Sequence, residues 1–229
     1  MGEDSLLILT KLRANEISYL YNHNDAHNLN HLDELITEIQ TNKHSPYLLN
    51  IAYKQKAKIY DRMGKFKKSL DYYHKSMNYF ESVFPEEGSI HLAECYYFIY
   101  RIYKYIFKDE MNAEFYINSL KEKSKSSGYT EFGVLYYRSL SFTNIENHDY
   151  KEGRANAIKA LKLAYSSSKE EYVYTSYSAI INYYLALKQY DSAFIVIEQT
   201  YDYIGDAENI NAPFYSSLVT THGHIYDQL

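Results

Sequence analysis

Residues 57–77 read AKIYDRMGKFKKSLDYYHKSM, and the same pattern returns twice. It is SLSFTNIENHDYKEGRANAIKAL at 139–161 and IINYYLALKQYDSAFIVIEQT at 180–200. Each copy has an aromatic or polar stretch, a short turn, then an aromatic (Phe66, Tyr150, Tyr190). A small residue follows three positions on (Ser69, Gly153, Ala193). Tyr73, Ala157 and Ile197 come four residues later, and Ser76, Ala160 and Thr200 three beyond those. Spacings of three and four put these residues on one face of a helix. Small residues on that face let a second helix approach closely. The motif therefore encodes a helical hairpin, repeated along the chain.

The hairpin resembles the tetratricopeptide repeat, whose first helix carries W-x2-L-G-x2-Y and whose second carries A-x3-F-x2-A. Over 53–77, Tyr53 stands for the Trp, Ala57 for the Gly and Tyr60 for the Tyr. Ser69, Tyr73 and Ser76 fill the second helix, Gly64 fills the turn, and Lys56 replaces the usual Leu. In the next unit Tyr96, Ile99 and Tyr103 match the first helix, and Ala113, Ile117 and Leu120 the second. The gap between those two helices is one residue longer. Val219, Gly223 and Tyr226 match one more first helix.

The corresponding first-helix positions are Tyr19, Tyr60, Tyr103, Asn144, Tyr184 and Tyr226, at intervals of 41, 43, 41, 40 and 42. The standard repeat has about 34 residues, so each helix is expected to be about a turn longer. Residues 1–42 form a divergent first unit, with Leu29, Leu32, Leu35, Ile36 and Ile39 on one face of its second helix. Ser45-Pro46 is a cap followed by a proline at a helix start. Pro85, Pro213 and Ser126-Ser127-Gly128 mark further joints, and Ser168-Lys169-Glu170-Glu171 reads as a capping box. The expected architecture is all-α, a right-handed solenoid of antiparallel helix pairs with about 11 helices. One domain over 1–229 is expected, with units 1–43, 44–84, 85–126, 127–167, 168–208 and an incomplete 209–229. A first helix without its partner predicts a fragment of a longer protein, open to self-association through the incomplete repeat.

Composition agrees. The 229 residues are 46% hydrophobic, enough for a sizeable core. With 8 Gly and 3 Pro, a turn-dense β-sandwich is excluded. Most of the 29 tyrosines belong where helix packs on helix, with hydroxyls reaching the surface. The net charge of −5 disfavours non-specific binding to nucleic acid or to an anionic membrane. The N-terminal segment, with Glu3, Asp4, Lys11, Arg13 and Glu16, is not a signal peptide. The lone Cys95 rules out an internal disulfide and favours the cytoplasm over the periplasm.

No catalytic motif, phosphate loop or C-x-x-C is present, so no enzyme activity, cofactor or metal is expected. His23, His27 and His31 are four apart, but Asn22-His23-Asn24-Asp25 reads as a turn that breaks their alignment. Cys95, among Ala93, Tyr96, Phe98 and Ile99, reads as a buried inert thiol. Lys65, Lys67 and Lys68 read as a solvated helix start.

The resemblance implies a concave groove lined by the first helices, taking a peptide or a partner protein. Carried onto this chain, the inward residues are Lys54, Lys58, Asp61 and Arg62; Glu94, Tyr97, Arg101 and Tyr105; Arg138, Phe142 and Glu146; Ser178, Asn182 and Leu185; Thr220 and His224; and Arg13 and Ile17. The expected ligand site is Lys54, Lys58, Arg62, Tyr97, Arg101, Tyr105, Arg138, Phe142 and Asn182. Its five cations would attract a carboxylate, its aromatics would stack, and Asn182 would bond a peptide backbone. Pairing of the cations with Asp61, Glu94 and Glu146 is the competing reading. The Lys/Asn clamp of chaperone-binding members is not reproduced. The phrase Tyr190-Asp191-Ser192-Ala193 and the Lys, Asn, Ile, Tyr-rich usage point to a bacterial source. In bacteria such arrays often precede a DNA-binding or kinase domain, which implies a sensor or docking role. A passive scaffold is the alternative.

Overall fold

The structure is a computed structural model that describes residues 3–22, 24–42, 45–83, 88–167, 169–205, 218–223 and 225. The described residues are helical apart from short turns. The helices are α1 (Glu3–Asn22), α2 (Asp25–Thr41), α3 (Pro46–Arg62), α4 (Phe66–Val83) and α5 (Ser89–Arg101). A π-helical segment, Ile102–Phe107, extends α5. Then come α6 (Glu110–Ser126), α7 (Thr130–Glu146), α8 (Tyr150–Ala164), α9 (Glu170–Ala186) and α10 (Tyr190–Ile204). Residues 218–223 and 225 are again helical. None of the helices is long and apolar enough to cross a membrane. The expected all-α repeat fold is therefore present.

The chain divides into two compact units, Met1–Tyr116 and Ile117–Leu229. In the first, consecutive helices pack in turn, and α3 also packs on both α1 and α5. In the second, α8 packs on α7 and α9, α10 packs on α9, and α7 packs on α9. Packing of a first helix on both its partner and the next first helix, as α1, α3 and α7 do, is the solenoid pattern.

The hairpin turns share one hydrogen-bond scheme, which explains the repeat. Lys65 N–H donates to Tyr60 O at 2.8 Å, Asp149 to Asn144 at 2.8 Å and Gln189 to Tyr184 at 2.9 Å. The acceptors are three of the residues whose spacing defined the period. Within each turn a residue takes the left-handed conformation: Gly64 at φ 70°, His148 at 62° and Lys188 at 55°. This is the Schellman end of a helix.

The unit over 85–126 has one extra residue between its helices, and the structure places it inside the helix rather than in the turn. The π segment absorbs it, Asp109 N–H reaches back six residues to Tyr103 O at 3.0 Å, and Lys108 takes the left-handed slot at φ 55°. An added residue in a loop would leave its amide to water, whereas a π turn keeps the helix ladder bonded.

The small residues sit where the helices cross. Ser69, Ala157, Ala160 and Ala193 are buried, as are Ser76, Ile197, Thr200, Ala113 and Leu120. Ser69 Oγ donates to Ala57 O at 2.9 Å, and Ser141 Oγ donates to Gly153 O at 2.8 Å. Ile117 is only half-buried, and Tyr116 takes the interior position beside it. In α2, Leu32, Leu35 and Ile39 are buried, with Leu29 and Ile36 at the margin of that face.

Two of the expected joints are seen. Ser45 Oγ accepts from Tyr47 N–H with Pro46 opening α3, and Gly128 at φ 74° precedes α7. The expected capping box is corrected: Lys169 is the cap of α9, and Ser167 Oγ accepts from Lys169 N–H at 3.2 Å. Ser168, Pro85, Pro213, His23, His224 and Tyr226 lie outside the described residues, as does the Ile17 side chain. Near the end of the chain Leu218 and Ile225 are buried against α9 and α10, while Val219 is 47% exposed. Val219 holds the position of the repeat's Trp. The matching Tyr53 and Tyr96 pack on second helices, and none beyond residue 225 is among the described residues.

Candidate functional site

Several of the expected inward positions lie near one another on first helices, within each unit taken by itself. In the first unit α1, α3 and α5 lie side by side and share a charged cluster. Lys54 is 3% exposed; its Nζ donates to Glu94 Oε2 at 2.5 Å and to His91 Nδ1 at 2.5 Å. His91 Nε2 lies 3.2 Å from Tyr47 Oη. Lys58 Nζ lies 3.5 Å from Glu16 and 3.6 Å from Glu94. Arg62 Nε donates to Asp25 Oδ1 at 2.8 Å.

Three of the five expected cations therefore already face carboxylates of the same unit. A paired charge projects little field, so the expected strong attraction of an acidic ligand is largely neutralised there. Glu94 was foreseen as a partner. Glu16 and Asp25 were not, because the divergent first repeat hides which residues of α1 and α2 face α3, and neither was His91 of α5. The burial of the Lys54–Glu94 pair makes it a structural device, since removing one partner would leave an uncompensated charge in the interior.

Arg101 differs. It reaches solvent, with its Cζ 5.8 Å from the centroid of Tyr97 and 5.7 Å from that of Phe98. Crowding works against its charge, but Tyr97, Asp61, Tyr73 and Tyr105 outweigh that and hold its pKa above the usual guanidinium value. Burial pushes the neighbouring Asp61 up, against the opposing pull of Arg101. Tyr105 is half-buried and meets Tyr100 edge-on at 6.4 Å. A guanidinium held between aromatic rings and open to water is ready for a carboxylate or a backbone carbonyl.

In the second unit Arg138 is 8% exposed and its Nη1 donates to Thr175 Oγ1 at 2.6 Å, so α7 is tied to α9. Phe142 and Asn182 meet in a cleft of about 280 Å³. Ser178 and Leu185 of α9 line it, and Leu218 and Thr221 close one side. The sequence placed Phe142, Ser178, Asn182 and Leu185 on this face. It gave Thr220 for the last unit, where Leu218 and Thr221 stand instead. The cleft has an apolar wall and an amide with both a donor and an acceptor, which suits an apolar side chain and its adjacent backbone.

No group of three or more His, Cys, Asp or Glu able to hold a metal occurs among the described residues. Asn15 Nδ2 lies 3.1 Å from His31 Nδ1. Cys95 is fully buried, and desolvation pushes its thiol up to about 12, against the opposing effect of Lys54.

No family model and no curated protein matches this chain. Solved structures do. The APC/C hetero-tetramer Cut9-Hcn1 aligns with a TM-score of 0.54 at 15% identity, over 95% of this chain and 36% of that one. BtubC (BKLC) from P. vanneervenii aligns at 0.49 and 15%, over 87% and 89% of the two chains. The TPR2AB-domain:pHSP90-complex of yeast Sti1 aligns at 0.38 and 12%, over 96% and 85%. At these identities the likeness to Cut9-Hcn1 concerns the fold alone. By fold the chain is a tetratricopeptide-like helical repeat protein.

Proposed function

We propose that the chain is a non-enzymatic module that binds a segment of a partner protein on the faces of its first helices. The observation that carries this reading is the cleft at Phe142 and Asn182. It joins an apolar wall to an amide, the combination that a peptide side chain and its backbone require. In the other unit Arg101, flanked by Tyr97 and Phe98, offers a cation to the same class of ligand. Cut9, whose fold is similar, stands in a hetero-tetramer with Hcn1, in keeping with this role.

Within that role the chain serves as the sensor or docking part of a larger bacterial regulator. Binding would then bias an attached output domain by repacking the helix stack. Passive scaffolding is the alternative reading. Asn182→Ala and Phe142→Ala are each expected to weaken a captured partner by about tenfold, near 1.4 kcal/mol. Isothermal titration with that partner decides. Unchanged affinity in both variants, and in Arg101→Ala, contradicts the proposal.

A further inference from the structure

A second surface lies at the edge where first helices turn into second helices. There Gly64, Lys65, Phe66, Lys67 and Lys68 of the α3–α4 turn and Phe107 of the π segment enclose a depression of about 340 Å³. Ile106 and Phe107 are 45% and 39% exposed, although both are large and apolar. Phe107 ends the π segment, and single-turn π insertions recur at functional sites. Lys65, Lys67 and Lys68 are exposed and make no ion pair with another described residue; Lys68 Nζ sits 5.5 Å from the centroid of Tyr60. Lys108 follows Phe107 and is exposed as well.

Exposed lysines around an apolar depression are the electrostatic and steric complement of an acidic segment with a bulky apolar anchor. Paired lysines, such as those at 54 and 58, would not serve. We infer that this turn edge, between Lys65–Lys68 and Ile106–Phe107, docks an acidic peptide segment carrying an aromatic or leucine anchor. The anchor enters the depression against Phe66 and Phe107, and its flanking carboxylates face the lysines. A cavity of this size holds one or two side chains, so the contact suits a short segment. The site is separate from the first-helix faces and is independent of the proposal made for them.

An array of peptides of about 12 residues, each with several Asp or Glu around one Phe or Leu, tests this directly. Neutral peptides with the same anchors are the controls. The wild-type chain should retain acidic members over neutral ones, more weakly as salt rises. Lys65→Glu/Lys67→Glu/Lys68→Glu and Phe107→Ser, each checked for folding by circular dichroism, should lose about tenfold or more in affinity. Lys162→Glu, on α8, should retain it.

Equal retention by wild type and the triple variant overturns the inference, as does retention of neutral peptides alone. Loss in Arg101→Ala alone would place the acidic peptides on the first-helix face and equally overturn it. Binding to anionic phosphatidylserine vesicles without binding to peptides would replace the partner by a lipid surface. A change in oligomeric state on Phe107→Ser, again without peptide binding, would replace it by a second copy of this chain.

Discussion

At the residue scale, single departures from the repeat pattern are the most informative. Lys56 stands where the repeat normally has Leu, yet it is 5% exposed. Its ammonium pairs with Asp33 and lies 4.9 Å from the Tyr72 ring. Burial works against the charge, and the bonds to Asp33 and Tyr72 outweigh it, so the pKa is raised. The stem thus fills the Leu position while the head finds partners at its rim. The sequence showed the substitution but not the remedy, because Asp33 is 23 residues away in another repeat.

Cys95 was legible as an inert thiol. With its pKa near 12, it should stay unreactive to a thiol reagent at about pH 8 in the native state and react on unfolding. Fast native labelling would contradict its burial. His74 sets a pH dependence. Burial lowers its pKa below the ordinary 6.5, against the opposing charge of Asp71, and its Nε2 lies 2.8 Å from Tyr116 Oη. Below that ordinary value the unfolded chain takes up a proton before the folded one does. Stability should therefore fall as pH drops below about 6.5, until the folded pKa is passed. Thermal melts of His74→Gln should show a shallower fall than wild type; an identical slope would remove this role.

At the scale of elements, the recurring turn is the unit of design. The residues that gave the period, Tyr60, Asn144 and Tyr184, are those whose carbonyls close the Schellman turns, which is why their spacing was readable through degenerate side chains. The extra residue before Ala113 was visible, but its place within a π segment was not. Side-chain periodicity does not say whether an insertion is taken up by a loop or by a helix. Gly153 tests the crossing itself. A Cβ there would stand 2.7 Å from Ile145 Cγ1 and 3.4 Å from the Ser141 carbonyl oxygen. Ile145 is buried and β-branched, so it has little room to turn. Overpacking costs about 1–3 kcal/mol, and the better helix propensity of alanine returns up to about 1 kcal/mol. Gly153→Ala should therefore destabilise by about 1 kcal/mol in urea unfolding. A stabilised variant would mean that α7 and α8 cross further apart.

At the scale of the whole molecule, the fold class was readable from recurrence alone, since repetition with a helical period admits few architectures. The first-helix faces were readable as a list of positions, because helix periodicity fixes which residues share a face. Its electrostatics were not. Lys54, Lys58 and Arg62 counted as a basic surplus until Glu94, Glu16 and Asp25 were found opposite them. Arg138 counted as a ligand cation until it proved buried on Thr175. Charges on different repeats meet only after stacking, so a single sequence cannot show the pairing. What remains open to a partner is Arg101 with its rings in one unit and the Phe142–Asn182 cleft in the other.

The most direct measurement is site-specific photo-crosslinking, with the crosslinker placed in turn at Asn182 and Ser178 in the cleft, at Arg101, and at the outward Lys162 of α8. The account predicts that partner protein is captured from Asn182, Ser178 and Arg101 and not from Lys162. Capture from Lys162 with none from the first-helix positions would contradict it.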